Sequence, residues 1–265
     1  RLAPVQCVLW GHPVTSGLPQ MDYYLSNESA EPDDAEKHYT ETLIRLGGVP
    51  TCYRRPSAGE RVCRSKFGIP EDANVYLCPQ SLFKIHPDMD LALVKILQGD
   101  PAGHLVIFHG SAQIWTDKLI QRWVPLFGEA MRRIIVLERV GWQEFLNIMS
   151  LADIMLDTWP FGGGNTNYQG FSAGLPIVTL PGKFLRGRAA MALYRHMKID
   201  DCIANSPEEY VEIANRLGRD IGFRTAVSEK ILERCPLIFD NQSVLDDLAD
   251  FLKSVPLSEL TNDAL

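Results

Sequence analysis

The residues best suited to chemistry follow a short apolar run at 154–156. Three consecutive glycines at 162–164 come next, and they lead into a predicted helix that begins near Asn165 and Thr166. A glycine loop that opens onto a helix N-terminus presents backbone N–H groups to an anion, and phosphate is the usual guest. A plain turn needs only one glycine, and each further glycine costs backbone entropy on folding. The pattern therefore favours a nucleotide or a nucleotide-sugar as ligand.

Basic side chains follow several predicted strands. Lys84 comes soon after the strand at 75–78, where its ammonium could act as a point charge against a diphosphate, or could be a solvated lysine before a helix. The segment 182–188 carries three positive charges, which hold a phosphate or, in the case of Arg188, pair within the fold. Arg139 comes at the end of the strand at 134–137, where it could likewise hold a phosphate or pair within the fold.

His12 is the histidine best placed for chemistry, because Gly11 and Pro13 hold it in a stiff loop near a strand end. No His, Cys, Asp and Glu side chains have the spacing of a metal site. The chain also has no G-x-S-x-G elbow and no G-x-x-x-x-G-K-[ST] loop. The motifs therefore give no support to a hydrolase or to a P-loop enzyme.

Composition narrows the class of protein. The 265 residues are 46% hydrophobic and 22% charged, which is ordinary for a globular chain. The net charge is −7, and residues 1–68 carry eight basic and eight acidic side chains, so the excess negative charge follows them. A nucleic-acid surface would need a basic stripe, so no nucleic-acid partner is predicted.

The apolar runs, the cysteines and the first residue indicate where in the cell the protein is located and whether it is processed. No apolar run approaches the roughly 18 residues that a membrane span needs, so no membrane association is predicted. The six cysteines are scattered without a C-x-x-C pair, which favours reduced thiols and a cytoplasmic protein. The chain opens with Arg1 and not Met, which indicates a processed or excerpted polypeptide.

The predicted elements after residue 68 alternate regularly. Short apolar runs rich in β-branched residues, separated by amphipathic helices, predict a parallel sheet covered on both faces, with ligands outside the carboxyl ends of its strands. Helices are expected to close the chain. The predicted strands are 75–78, 105–108, 134–137, 154–156 and 177–180, and the predicted helices are 89–97, 118–131, 143–149, one from 165, 207–217, 223–233 and 244–253.

The region before residue 69 has a less regular pattern. It is predicted to hold one strand at 5–9, the loop around His12, and a helix that starts at the acidic residues 33–36 and ends near Leu46. The turn-rich segment 47–59 is predicted to be a linker.

Several long motifs resemble the O-GlcNAc transferase/SPINDLY family of protein glycosyltransferases. The match runs in order over roughly residues 4 to 252. The motifs are W-G-H-P-V-T-S-G at 10–17, Q-S-L-F-K at 80–84, L-D-T at 156–158 with the glycine loop, and A-G-L-P-I-V-T-L-P-G at 173–182.

The resemblance implies an α/β fold of GT-B type: one Rossmann-like parallel-sheet lobe with part of a second lobe. Residues 1–68 would be the end of the first catalytic lobe, 69–240 the lobe that binds the nucleotide-sugar, and 241–265 a C-terminal helix and tail. The family's upstream histidine-bearing stretch and its helical-repeat array would precede Arg1, and a catalytic base, if a side chain serves as one, is expected upstream too.

The resemblance also implies roles for residues. It implies inverting, metal-independent transfer with no cofactor, from a UDP-sugar to an acceptor protein. Lys84 would be catalytic by neutralising the diphosphate leaving group, and His12 is the second candidate for catalysis. The implied donor-binding residues are Gln80, Ser81, Arg139, Val140, Gly163, Gly164, Asn165, Thr166, Gln169 and Arg188, and Gly11, Pro13 and Thr15 would form a first-lobe wall near the transferring sugar.

The chain departs from the family at some positions. Position 169 is usually acidic and suited to ribose hydroxyls, but here it is Gln169, whose neutral hydrogen bonds are roughly half as strong. Weaker donor binding is therefore expected. The animal enzymes carry a lysine and a histidine in the segment that matches Trp142 and Phe145, so those two roles do not carry over.

The leading prediction is a glycosyltransferase that moves N-acetylglucosamine from UDP-GlcNAc to Ser/Thr of proteins. UDP-glucose and GDP-fucose are the alternative donors, used by related members. The alternative of another class is a nucleotide-sugar-binding module without turnover, because the first lobe is incomplete and Gln169 is substituted. A purely structural domain ranks last, because three strand ends carry polar motifs.

Overall fold

The computed structural model describes residues 1–49, 51–57 and 62–255. These residues form two parallel sheets. The three-stranded sheet has the order β1-β2-β3, and the five-stranded sheet has the order β6-β5-β4-β7-β8. The strands are β1 (Cys7–Leu9), β2 (Tyr23–Asn27), β3 (Thr42–Leu46), β4 (Asn74–Cys78), β5 (Gly103–Phe108), β6 (Ile134–Leu137), β7 (Ile154–Leu156) and β8 (Ile177–Val178).

Helices cover the five-stranded sheet, and the last helix returns to the other sheet. Helix α8 packs against β3, and the ring of Phe251 on α8 meets Tyr23 edge-on with centroids 5.2 Å apart. The helices are α1 (Pro87–Gly99), α2 (Gln113–Phe127), α3 (Trp142–Leu151), α4 (Asn165–Ser172), α5 (Ala189–Met197), α6 (Pro207–Arg219), α7 (Ile221–Arg234) and α8 (Ser243–Ser254). Short 3-10 turns span Ala35–His38, Arg64–Phe67, Leu82–Lys84, Gly128–Arg133, Leu185–Gly187 and Cys235–Leu237.

Strand β4 lies at the centre of the five-stranded sheet. Tyr76 on β4 pairs in register with Leu105 on β5 and, on the other side, with Ile154 on β7. The chain therefore builds outward in one direction through β5 and β6, and then in the opposite direction through β7 and β8. Open α/β sheets bind ligands where the strand order reverses, at the carboxyl ends of the strands. In this protein that position is the space beyond β4 and β7.

The core explains why the apolar runs are nearly continuous. Val75, Tyr76 and Leu77 on β4 are all 1% exposed or less, because helices pack on both faces of the sheet. The Tyr76 hydroxyl donates to Oδ2 of Asp100 at 2.8 Å, so this deeply buried hydroxyl has a hydrogen-bond partner. The predicted α/β fold of GT-B type is confirmed in its parallel sheets.

The prediction of a helix over residues 33–46 is wrong. The acidic stretch makes only the 3-10 turn Ala35–His38, and Thr42–Leu46 is the strand β3. Sequence reasoning also missed β2, to which β3 pairs in parallel, with Leu25 opposite Ile44. The acidic residues suit a helix start, but pairing with β2 places the Thr-Leu-Ile-Arg-Leu run in a sheet. Helix α5 was not predicted either.

The segment predicted as a linker, 47–59, packs against the second sheet over its described part. Val49 is buried, and the ring of Tyr53 stacks on Tyr168 of α4 with centroids 4.6 Å apart. Positions 50, 58 and 59 of that prediction lie outside the described residues. The described helices include none that combines the length and the apolar character of a membrane span.

Candidate functional site

A cavity of about 500 Å³ lies between the two sheets, beyond the carboxyl ends of β4 and β7. On the side of the five-stranded sheet its walls come from the segment after β4, the glycine loop after β7 and the first residues of α4. Opposite them lie residues of the three-stranded sheet and its loops. The lining includes Trp10, Gly11, Pro13, Ser26, Asn27, Ala30, Gln80, Ser81, Lys84, Phe161, Gly163, Gly164, Asn165, Thr166 and Tyr168.

The glycine loop folds around a buried carboxylate. Asp157 directly follows β7 and is 2% exposed. Its Oδ1 accepts a hydrogen bond from the backbone N–H of Gly163 at 2.7 Å, and its Oδ2 accepts one from the Thr179 hydroxyl at 2.9 Å. Burial raises the pKa of Asp157 to about 6, although these hydrogen bonds and the charge of Lys84 oppose the rise.

Close contacts explain the glycines. A Cβ on Gly163 would lie 2.5 Å from Nε2 of Gln80 and would also collide with the Thr166 hydroxyl. A Cβ on Gly162 would lie 2.8 Å from Oδ2 of Asp157. Two of the three glycines are therefore required because the loop passes against polar side chains without room for a methyl group.

The N-terminus of α4 faces the cavity. The helix begins at Asn165 after Gly164, and no described side chain caps it. The first N–H groups of a helix have no partner within the helix, and they carry the positive end of its dipole. Since Gly164, Asn165 and Thr166 line the cavity, its wall offers an anion backbone donors and a favourable potential.

Lys84 lines the same cavity from the end of the 3-10 turn after β4. Its Nζ donates to the carbonyl oxygen of Gly162 at 2.8 Å and lies 4.2 Å from the centroid of the Phe161 ring. Burial lowers the pKa of Lys84, while the negative charge of Asp157 opposes that change. Gln80 is held to the first turn of α4, because its Nε2 donates to the Thr166 hydroxyl at 2.8 Å.

A second cavity of about 150 Å³ adjoins the first, since both are lined by Pro79, Gln80 and Ser81. Arg139 and Val140 line this smaller cavity, beyond the ends of β5 and β6. Its other lining residues are Phe108, His109 and Phe145. The structure thus places the predicted residues at the ends of β4, β6 and β7 around two adjacent cavities.

Two residues of the predicted first-lobe loop lie outside the cavity lining. Gly11 and Pro13 line the cavity, but the His12 side chain is exposed. The backbone carbonyl of His12 accepts a hydrogen bond from the Tyr24 hydroxyl at 2.5 Å. Thr15 instead donates to Oε2 of Glu41 at 2.7 Å. Thr15 is therefore used to fix the loop.

Arg188 and Gln169 also lie outside the lining of both cavities. Arg188 donates from Nε to the Ala30 carbonyl at 2.6 Å and from a terminal nitrogen to the Gly182 carbonyl at 3.0 Å. Arg188 thereby links the segment after β2 to the segment after β8. Gln169 is 5% exposed, and its Nε2 lies 3.5 Å from the Tyr53 hydroxyl.

Sequence reasoning missed several residues of the site. Asp157 belongs to a motif that supported the family resemblance, and its signal was an acidic residue placed directly after an apolar strand. Ser26 and Asn27 follow β2, a strand that was not predicted, so they gave no such signal. Within the described residues, no group of three or more His, Cys, Asp and Glu side chains is arranged to hold a metal ion.

The two parallel sheets and the cavity between them define a glycosyltransferase fold of GT-B type. The family description "Glycosyl transferase family 41" matches residues 48–248, and the chain belongs to that family. The resemblance to the O-GlcNAc transferase/SPINDLY family is thereby confirmed.

Similar proteins include plant relatives. A Solanum lycopersicum protein named probable UDP-N-acetylglucosamine–peptide N-acetylglucosaminyltransferase SPINDLY is 29% identical over 263 residues, which are 96% of this chain and 27% of that protein. An Arabidopsis thaliana protein of the same name is 30% identical over 237 residues, 86% of this chain and 25% of that one. The chain therefore spans about a quarter of the length of these relatives.

Solved structures give the same result for the fold. A mutant of the Thermobaculum terrenum O-GlcNAc transferase is 26% identical with a TM-score of 0.82, and the match covers 95% of this chain and 48% of that one. WaaG, a glycosyltransferase involved in lipopolysaccharide biosynthesis, is 17% identical with a TM-score of 0.61, over 92% of this chain and 65% of WaaG. The likeness to WaaG bears on the fold alone.

Proposed function

We propose that this chain is the donor-binding part of a protein glycosyltransferase that transfers N-acetylglucosamine from UDP-GlcNAc to Ser/Thr of an acceptor protein. The observation that carries the proposal is that Lys84 and the uncapped N-terminus of α4 line one cavity together with the glycine loop. The names of the plant relatives and of the T. terrenum enzyme support the donor and the reaction.

The donor's diphosphate would bind between Lys84 and the N–H groups at Gly164, Asn165 and Thr166. The Lys84 ammonium has three donors, so it keeps its hydrogen bond to the Gly162 carbonyl and donates another to a phosphate oxygen. The nucleoside would extend into the smaller cavity, where Arg139 and Val140 contact the base. The sugar would then point toward Gly11 and Pro13.

The reaction we propose is a single displacement with inversion. The acceptor hydroxyl gives its proton to a general base, and its oxygen bonds to the anomeric carbon as the bond from that carbon to the diphosphate oxygen breaks. The electron pair of the broken bond leaves with UDP. Negative charge grows on the leaving oxygen, so Lys84 and the helix N-terminus stabilise the transition state more than the ground state. This places the task of a metal ion on the protein's own groups. His12 stays a candidate at the cavity rim, since both of its neighbours line the cavity.

The setting of the protein is part of the proposal. All six cysteines lie in the described residues and none is in a disulfide, which supports a cytoplasmic location. The partners we propose are the nucleotide-sugar and the acceptor protein, with neither nucleic acid nor membrane. An upstream helical-repeat region would supply the acceptor contacts.

The test is calorimetric titration of UDP and of GDP into the wild-type chain, Lys84→Ala and Lys95→Ala. Lys95 is the matched control, because it is an exposed lysine on α1 outside the cavities. We expect UDP to bind and Lys84→Ala to bind it about 10- to 100-fold more weakly, since a hydrogen bond to a charged group is worth about 1.5–3 kcal/mol. Lys95→Ala should match the wild type.

Each other outcome has a definite meaning. Failure of the wild type to bind either nucleotide, or equal UDP affinity for Lys84→Ala and wild type, would refute the donor site. Preference for GDP would replace UDP-GlcNAc by GDP-fucose. Binding of UDP with neither hydrolysis of UDP-GlcNAc nor transfer would identify a binding module instead of an enzyme.

A further inference from the structure

One peptide group of the glycine loop lies between two opposite charges. The carbonyl oxygen of Gly162 accepts a hydrogen bond from Nζ of Lys84 at 2.8 Å. The N–H of Gly163 donates to Oδ1 of Asp157 at 2.7 Å. This C=O and this N–H belong to the same peptide bond, so its dipole points the negative end at the ammonium and the positive end at the carboxylate.

The carboxylate in this arrangement is anchored from other elements of the fold. The Thr179 hydroxyl, just after β8, occupies Oδ2 of Asp157 at 2.9 Å. The backbone carbonyl of Asp157 accepts a hydrogen bond from the Tyr210 hydroxyl of α6 at 2.9 Å. Asp157 does not line either cavity, so any effect on a ligand must pass through the loop and Lys84.

We infer that Asp157 is a positioning residue of the donor site, which fixes the Gly162–Gly163 peptide so that its carbonyl holds the Lys84 ammonium at the cavity wall. This inference rests on the proposed function, because the group that the positioned Lys84 ammonium would bind is the donor's diphosphate. Beyond the proposed function, we infer that the buried carboxylate of Asp157 orients the glycine loop without contacting the ligand.

Removing the charge of Asp157 should release the loop. Two adjacent glycines have little steric preference against rotation of the peptide between them. With a neutral acceptor, the bond to the Gly163 N–H loses its charge assistance, which accounts for about half of its strength. The Gly162 carbonyl is then free to turn away from Lys84, and the ammonium loses its fixed place. The nucleoside end of the donor, in the smaller cavity, is not affected by this change.

The pH dependence follows from the groups that face Asp157. These groups are Lys84 on the turn after β4, Cys78 on β4 and Tyr210 on α6. Burial raises the pKa of Cys78 to about 12 and that of Tyr210 well above its usual value, so neither titrates between pH 5 and 8. Burial raises the pKa of Asp157 to about 6. The wild type therefore carries the charge at pH 7.5 and loses it below pH 6.

The experiment compares UDP with uridine, in the wild-type chain and in Asp157→Asn. At pH 7.5 we expect Asp157→Asn to weaken UDP binding about tenfold and to leave uridine binding within about twofold. Asp153→Asn is the matched control, because Asp153 is another carboxylate beside β7, partly buried and ion-paired with Arg64 at 2.9 Å. It precedes the strand, away from the cavity, and should leave the ratio of UDP to uridine affinity unchanged.

Two further measurements separate positioning from general structural damage. In a Lys84→Ala background, Asp157→Asn should add less than about twofold to the loss of UDP affinity, because both act through one ammonium. As the pH falls from 7.5 to 5, the gap between wild type and Asp157→Asn should close. The titration of UDP's own phosphate, near pH 6, cancels in that comparison.

The outcomes are distinct for the two proposals. Absence of UDP binding to the wild type refutes the proposed function. If the wild type binds UDP but Asp157→Asn keeps the same ratio of UDP to uridine affinity, the inference about Asp157 is wrong and the donor site stands. Additive losses in the double variant would also overturn it. Should Asp157→Asn not fold, a wild-type ratio of UDP to UMP affinity that stays constant from pH 7.5 to 5 would decide against the inference.

Discussion

Gly163 offers the sharpest test of how the loop is built. Replacing it with alanine places a methyl group against three polar groups: the Thr166 hydroxyl, Nε2 of Gln80 at 2.5 Å and Oδ1 of Asn167 at 2.7 Å. The backbone angle φ at Gly163 is not positive, so the penalty is steric and not conformational. The methyl group must push these atoms apart or displace the loop.

The magnitude follows from two contributions. Overpacking a tight site costs about 1–3 kcal/mol. The 2.8 Å hydrogen bond from Gln80 to Thr166 would also break, which adds about 0.5–1.5 kcal/mol. We therefore expect Gly163→Ala to lose about 2–4 kcal/mol of unfolding free energy. For a chain of this size that corresponds to a fall in Tm of about 5–10 °C.

The assay is thermal unfolding followed by calorimetry, with Gly11→Ala as the matched control. Gly11 lines the same cavity from the opposite side, and a Cβ there meets nothing within 4 Å. Its substitution should leave Tm within about 2 °C or raise it slightly, because alanine reduces the entropy of the unfolded chain. Equal Tm values for the two variants would refute the argument that Gly163 is required by close packing.

Two further predictions concern residues that the structure places in supporting roles. Arg188→Ala removes the hydrogen bonds to the Ala30 and Gly182 carbonyls, so we expect the free energy of unfolding in urea to fall by about 2–4 kcal/mol. The affinity for UDP, measured well below Tm, should stay within threefold of the wild type. A large loss of UDP affinity in a fully folded variant would show that Arg188 binds the donor. Burial raises the pKa of Glu41, but hydrogen bonds from Ser16 and from Thr15 outweigh it and hold the pKa at about 2, below the 4.5 of an ordinary glutamate. The charged form therefore stabilises the fold above pH 4.5, and this advantage over Glu41→Gln should shrink as the pH falls from about 5 to 2, measured as the difference in urea midpoints; a constant difference would show that ionisation plays no part.

Much of the five-stranded sheet was predictable from sequence. The runs at 75–78, 105–108 and 134–137 are apolar because both faces of a parallel strand are covered, and that pattern differs from the helical one. The three-stranded sheet was not predictable in the same way. Strand β3 is only partly buried and follows acidic residues that suit a helix start.

The residues of the candidate site likewise include some that the sequence predicted and some whose role it left open. The glycine loop, the helix that follows it, and Lys84 were found because each has a local signal: repeated glycines, a helix start, or a charge after a strand. For Arg188 the alternative of pairing within the fold was visible, but the choice was not. A guanidinium binds a phosphate or a backbone carbonyl equally well, and only the tertiary structure brings the Ala30 carbonyl within 2.6 Å.

The sequence by itself determined most of the alternating elements, the glycine loop before α4 and the family, because these depend on residue types within a few positions of one another. Only the tertiary structure decided which groups meet. Lys84 and Asp157 are far apart in the chain, yet they hold the two ends of one peptide bond. That pairing depends on β4 and β7 being neighbours in the sheet, and strand order is a property of the packed fold that no local pattern records.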